Sequence, residues 1–284
     1  MEFWVAELIS AFSFAAILFL LSSGFSLIFG VMKIVNITHG SLYMFGGFVG
    51  VSIVAWTGNF FLAILVSIAI IAALGLALER AFLRQYYREE FAQILITIGF
   101  ALVFKDVAFL IWGGDPYFLA APDFLKGSFH FGRVLFGYYQ VFVILVAVGV
   151  AIGLWAFIER STLGAKLRAS VDDNEMASVL GINVTLVCAS TFCLGSALAA
   201  LGGIVASPIY GISTNTDFEF LPLAFVVVIV GGMGSLKGVI AGSILVALVD
   251  NFGKALFPEL SYFTLFAPMA IVLAIKPTGL FGRA

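Results

Sequence analysis

"GVMKIVNITHG", residues 30–40, sits between two long apolar stretches, and its reading decides how the chain must fold. Uncharged sequence runs from Leu8 to Met32 before it, and "SLYMFGGFVGVSIVAW" resumes at Ser41. Within the interruption an ammonium, an amide, a hydroxyl and an imidazole fall together: Lys33, Asn36, Thr38 and His39, bracketed by Gly30 and Gly40. An apolar run of roughly 20 residues crosses a bilayer as a helix. The stretch therefore reads as a break between two membrane helices.

The rest of the chain agrees. Apolar residues make up 62% of the 284 and charged residues 11%, against about a quarter charged in a soluble domain. Further uncharged stretches cover Val134–Ile158, Ile34–Leu78 and Ile182–Thr216, and the last two are too long for one span. The expectation is an all-α polytopic membrane protein, a single transmembrane domain over 1–284. Helices are predicted at 8–29, 38–56, 59–78, 91–112, 135–158, 184–206, 219–231, 237–254 and 261–275. That makes eight or nine passes, some broken or short, with 219–231 marginal for a span. The acidic start "MEFWVAELISAF" lacks the basic region of a signal peptide, so the first helix reads as a retained span.

A net charge of −2 offers no basic surface to nucleic acid. Cys188 and Cys193 match no zinc or disulfide spacing and read as small buried hydrophobes. Orientation follows from the positive-inside rule. Arg80, Arg84, Arg88, Arg160, Lys166 and Arg168 fill two loops, and Lys276 and Arg283 the tail. The alternate loops hold only Lys126 and Arg133. The basic loops and C-terminus are expected in the cytoplasm, the N-terminus outside.

The loop 159–183, "ERSTLGAKLRASVDDNEMASVLGIN", is patterned. Asp172 is placed to cap a helix, with Glu175 three positions on completing a capping box. Met176, Val179 and Leu180 share one face, and Gly181 suits the position that ends the helix. Two turns do not hold themselves in water, so this face needs a partner.

"EMASVLG" fits the E-x-A-x3-G pattern by which importer permeases of the ATP-binding-cassette (ABC) class dock their ATPases. Together with "GVMKIVNITHGSLYMFGGFVG" and "VGGMGSLKGVIAG", it resembles the permease of branched-chain amino acid importers. The resemblance covers essentially the whole chain, though the apolar-Pro pair that usually follows the docking pattern is missing. It implies a subunit of the bacterial cytoplasmic (inner) membrane that takes in branched-chain amino acids or related small polar solutes such as amides and urea. Its partners would be membrane lipid, a homologous second permease, two ATPase subunits and an extracytoplasmic solute-binding protein. Asp172, Asp173, Glu175, Met176, Ala177, Val179, Leu180 and Gly181 would form the coupling segment. The plainer reading is an amphipathic helix on lipid headgroups, which its acidic polar face disfavours.

No motif supplies an engine. "GGMGSLKG", 231–238, lacks the GK[ST] ending that holds nucleotide phosphates. His39 and His130 have no metal-ligand spacing, and no catalytic signature or cofactor site is present. The alternative transport class is an ion-coupled carrier using Asp106, Asp250 or His39, since ionisable groups within spans default to functional candidates. Yet Lys105 and Asp106 point about 100° apart on a helix, and Asp250 and Lys254 read as a local ion pair.

The opening stretch has two readings. One is a plain cytoplasmic hairpin. In the other, the break lies at membrane depth and lines the pathway, as broken helices do in transporters. A second Gly/Met/Lys break recurs in 222–254, matching the one in 24–56, which favours the second. The pathway residues expected on this basis are Asn36, Thr38, His39, Gly231, Gly232 and Gly234.

Overall fold

The computed structural model describes residues 2–87, 89–131 and 134–282, so Arg88, Arg133 and Arg283 of the charge argument lie outside the described residues. Every apolar run becomes a helix. In chain order they are α1 (Glu2–Met32), α2 (Thr38–Thr57), α3 (Phe60–Leu78), α4 (Glu90–Trp112) and α5 (Tyr138–Arg160). After α6 (Thr162–Asp172) and α7 (Asn174–Val179) come α8 (Val184–Tyr210), α9 (Thr216–Gly231), α10 (Leu236–Leu256) and α11 (Ser261–Ile275). Among the described residues, seven helices are long and apolar enough to cross a membrane. The helices α9 and α11, at 16 and 15 residues, are shorter.

Two departures from the expected pattern have simple causes. Val134–Gly137 does not open α5. It pairs antiparallel with Ser128–Phe131 as a small hairpin, β1 and β2, because alternating aromatic and aliphatic residues suit a ladder. The loop after α5 folds into two helices, since Ser161 caps α6 by accepting from Gly164 N–H at 2.8 Å.

The helix α1 is apolar and buried along nearly all of 11–32, as expected of a helix at the centre of a membrane bundle, while Phe3, Trp4, Val5 and Leu8 of its first turns are exposed. Small residues let its neighbours close in. A Cβ on Gly24 would sit 2.5 Å from Gly195 O of α8, and one on Gly46 of α2 would sit 2.4 Å from Ala200 Cα. Such contacts hold membrane helices together where no hydrophobic drive exists between them. By contrast α3, α4 and α5 leave broad apolar faces exposed, among them Leu65, Leu110 and Leu145.

Chain ends and breaks are distributed between the two ends of the bundle. Gly30, near the end of α1, abuts Gly234 of the α9–α10 connection. The tail returns to the same place, with Leu280 and Phe281 N–H groups donating to the carbonyls of Val230 and Gly231. At the opposite end the loop after α4 meets the loop after α8 through a Tyr117–Ile212 bridge.

Candidate functional site

The break after α1 climbs back into the bundle. Lys33 takes a left-handed φ of 57°, and its N–H closes α1 on Phe29 O at 2.8 Å. It is the one non-glycine residue with positive φ among those described. Such a conformation costs a side-chain-bearing residue about 1–2 kcal/mol. Residues 33–37 then run without helix up to α2. His39 Nε2 lies 2.9 Å from Leu21 O, and because a carbonyl only accepts, Nε2 carries the proton. Leu21 stands 32 − 21 = 11 residues before the end of α1, roughly 16 Å along the axis. Five residues reach about 18 Å at most, which is enough for 33–37 to climb beside the last turns of α1. Thr38 Oγ1 independently donates to Thr97 O at 2.9 Å, roughly 10 Å along α4 from its start.

The α2 N-terminus is therefore deep inside the bundle. Thr38 to Phe48 are all buried. No side chain caps α2, whose N-cap position is Ile37, and neither amide atom of Asn36 has a partner among the described residues. Nδ1 of His39 and the Tyr43 hydroxyl are likewise buried without one. Buried polar groups are nearly always paired, and non-helical backbone at membrane depth persists only inside protein or beside a water-filled cavity. This geometry is that of a broken helix pair, not a surface hairpin.

A second helix N-terminus meets the first. The α9 helix begins beside α2, where a Cβ on Gly40 would sit 2.7 Å from Asp217 O. Ser41 Oγ donates to Asp217 Oδ2 at 3.3 Å, and Tyr43 stacks on Phe220 with centroids 5.0 Å apart. Lys105 of α4 donates to Asn215 Oδ1 at 2.8 Å and lies 5.1 Å from the Phe218 ring centroid. Asn215, Phe218 and Glu219 are exposed on the single chain, as is Asp106 one residue along α4. Pro222 lacks the N–H that would bond the Phe218 carbonyl. Two helix N-termini, the Lys105 ammonium and the Asp217 carboxylate come together here. Positive helix ends of this kind bind the anionic groups of solutes in transporters with broken helices.

Sequence reading missed most of this cluster. "PIYGISTNTDFEFLP" counted only as a loop lacking Lys and Arg, although Asp217 and Glu219 were visible in it. Lys105 stood out, but its partner lies 110 residues away. Asp250 and Lys254 form the local pair that spacing indicates, Nζ to Oδ2 at 2.7 Å. Cys188 and Cys193 are free thiols, and among the described residues no three potential ligands gather for a metal.

The glycines of the second break serve backbone contact. Gly231 abuts Gly238, Gly232 abuts Gly282, and Gly234 abuts Gly30 while donating its N–H to Ser26 Oγ at 3.2 Å. The two breaks thus touch at one end of the bundle. Gly232 and Gly234 have φ of 102° and 77°, a region where a Cβ is strained.

The short helix α7 hangs below this junction. Its cap is Asp173, not Asp172: Asp173 Oδ1 accepts from Glu175 and Met176 N–H at 2.9 and 3.0 Å, while Asp172 ends α6. The Asp173 backbone is extended and free to present its carboxylate, whereas Asp172 is helical. Gly181 takes φ of 83° just past the end. Ala177 is buried, but Met176, Val179 and Leu180 are 55, 81 and 73% exposed, so no described residue covers that face. Asn174 Nδ2 donates to Val31 O at 3.0 Å, tying α7 to the foot of α1.

A bundle of membrane-length helices, with the N-termini of α2 and α9 meeting inside it and a short apolar-faced helix at one end, has the form of a membrane permease. The chain belongs to the family described as "branched-chain amino acid transport system / permease component", whose model matches residues 8–273. It is 29% identical to the high-affinity branched-chain amino acid transport system permease protein BraD of Pseudomonas aeruginosa, over 99% of this chain and 96% of the relative. It is also 29% identical to the corresponding LivH protein of Escherichia coli, over 93% and 91%. A more distant relative is the ribose import permease protein RbsC of Escherichia coli, 27% identical over 84% and 75%. The chain is accordingly a multi-pass permease of the inner membrane.

Proposed function

We propose that this permease is one transmembrane half of an ATP-driven importer for branched-chain amino acids or related small polar solutes. Its partners are a homologous second permease, two ATPase subunits and an extracytoplasmic solute-binding protein. The end bearing α7 faces the cytoplasm, where Arg80, Arg84, Arg160, Lys166, Arg168 and Lys276 gather. The N-terminus is outside and the tail inside. The α9 helix crosses only together with residues 211–215, since its 16 residues are short for a span.

The observation that carries this reading is the link from α7 to the break. The uncovered face of Met176, Val179 and Leu180 seats in a groove of an ATPase, and Asn174 passes its movement to the end of α1. There Gly30 and Gly234 join the two interrupted pairs. The solute passes between this chain and its sister permease, along the half-buried Lys105 and the exposed Asn215 and Glu219. Opposed charges and two helix N-termini suit a zwitterion. Asn36, Thr38 and His39 lie behind the cluster and line the pathway when the subunit opens inward.

In proteoliposomes containing the partners, uptake will need ATP on the α7 side and persist after proton and Na⁺ gradients are collapsed. Gradient-driven uptake by this subunit alone would replace the importer with an ion-coupled carrier.

A further inference from the structure

Two hollows lie one above the other in a groove between α5 and α10, with α1 as its floor. The larger, about 660 Å³, is bounded by Trp155 and Ile158 of α5, Ser23 and Leu27 of α1, and Val239 of α10. The smaller, about 140 Å³, continues along the same helices past Ala147 and Ala151, Ala15 and Phe19, and Ile240 and Ile244. On each helix the two sets adjoin: Phe19 and Ser23, Ala151 and Trp155, Ile240 and Val239.

Their walls differ in kind. The inner hollow is nearly all aliphatic and aromatic, with Ser243 its one hydroxyl. The outer one, at the end bearing α7, carries Lys33, Lys237 and Arg168 against Glu159 and Asp172. Glu159 is drawn to Arg168, 3.5 Å away. Lys33 and Lys237 have no ion-pair partner among the described residues, and both are exposed.

We propose that this groove binds an anionic phospholipid, with its phosphate between Lys33 and Lys237 and an acyl chain along the alanine-lined slot. Basic pockets between membrane helices at the cytoplasmic side hold anionic headgroups. A sister permease fits the groove worse, because a packed helix would bury two unpaired ammonium groups at high cost. The site's place in the cytoplasmic leaflet rests on the orientation proposed above. Its outer hollow touches Gly234 and Ser235 of the α9–α10 break and Val171 of α6. A seated lipid therefore bears on the junction through which α7 acts.

The experiment reads bound lipid, so its result is separate from the importer assignment. The chain and its partner subunits are reconstituted in nanodiscs of equal parts phosphatidylglycerol and phosphatidylcholine, extracted in mild detergent, and their retained lipids quantified by mass spectrometry. Wild type will retain phosphatidylglycerol over phosphatidylcholine. The double variant Lys33→Gln/Lys237→Gln will retain less, by roughly fivefold for each lysine. Ala151→Phe, which fills the slot and leaves the charges, will also lose it, and excess inorganic phosphate will not displace it. Equal retention of both lipids, or wild-type retention by both variants, overturns the proposal. So does displacement by phosphate, which reduces the site to an anion pocket, or a crosslink from Ala151→Cys to the second permease, which fills the groove with a helix.

Discussion

Asn36 shows how far single side chains can be read from sequence. Its polarity within an apolar run marks it at once, but only the fold shows that both amide atoms are buried with no partner among the described residues. An unpaired buried polar group costs about 1–3 kcal/mol, so Asn36→Leu is expected to leave melting temperature unchanged or raise it. Transport should fall if Asn36 lines the pathway as proposed, with its amide finding a partner once the subunit opens. A thermal-shift assay beside an uptake assay separates the two, and full transport with raised stability would remove Asn36 from the pathway. Asp172 and Asp173 teach the opposite lesson. Both satisfy a capping pattern on paper, and only backbone geometry selects Asp173. Asp173→Ala should weaken α7 by about 1 kcal/mol. Faster amide exchange across 174–179, without change in the long helices, is the expected readout.

Among the elements, the long helices were legible because apolar runs and their punctuation fix them. All nine long segments appear, most within a few residues of the expected bounds. Their vertical offsets were not legible. Nothing in "KIVNITHG" says whether five residues turn at a surface or climb beside α1, because the deciding bond runs from His39 to Leu21, 18 residues back. The β-hairpin was hidden by its own apolarity, which extended the α5 run. The helix α7 was legible through its spacing, and its exposed face gives a sharp test. Leu180→Glu places a charge where a partner's groove must close, at a cost of several kcal/mol unless paired. The ATPase should no longer co-purify, while the spans keep their fold by circular dichroism. Retained ATPase with normal uptake would mean that α7 docks elsewhere.

At the scale of the whole molecule, the two interrupted pairs are in contact. The breaks meet at Gly30 and Gly234, α9 ends beside that contact, and α7 is tied to the foot of α1 through Asn174. In this arrangement Asn36, Thr38 and His39 are closed off. If the breaks part during transport, these positions must become wet from one side. Single cysteines at 36, 38 and 39, in a background with Cys188 and Cys193 replaced, report this through membrane-impermeant thiol reagents. Only a hydrated thiol ionises and reacts, so the resting complex should label weakly at all three. Labelling should rise when ATP drives the ATPases through their cycle, and substrate should protect against it. Position 33, already exposed at the bundle's end, provides the contrast: a cysteine there should label in every state. Constant labelling at 36, 38 and 39 without ATP would mean that the break is wet at rest, and that opening it is not how the importer works.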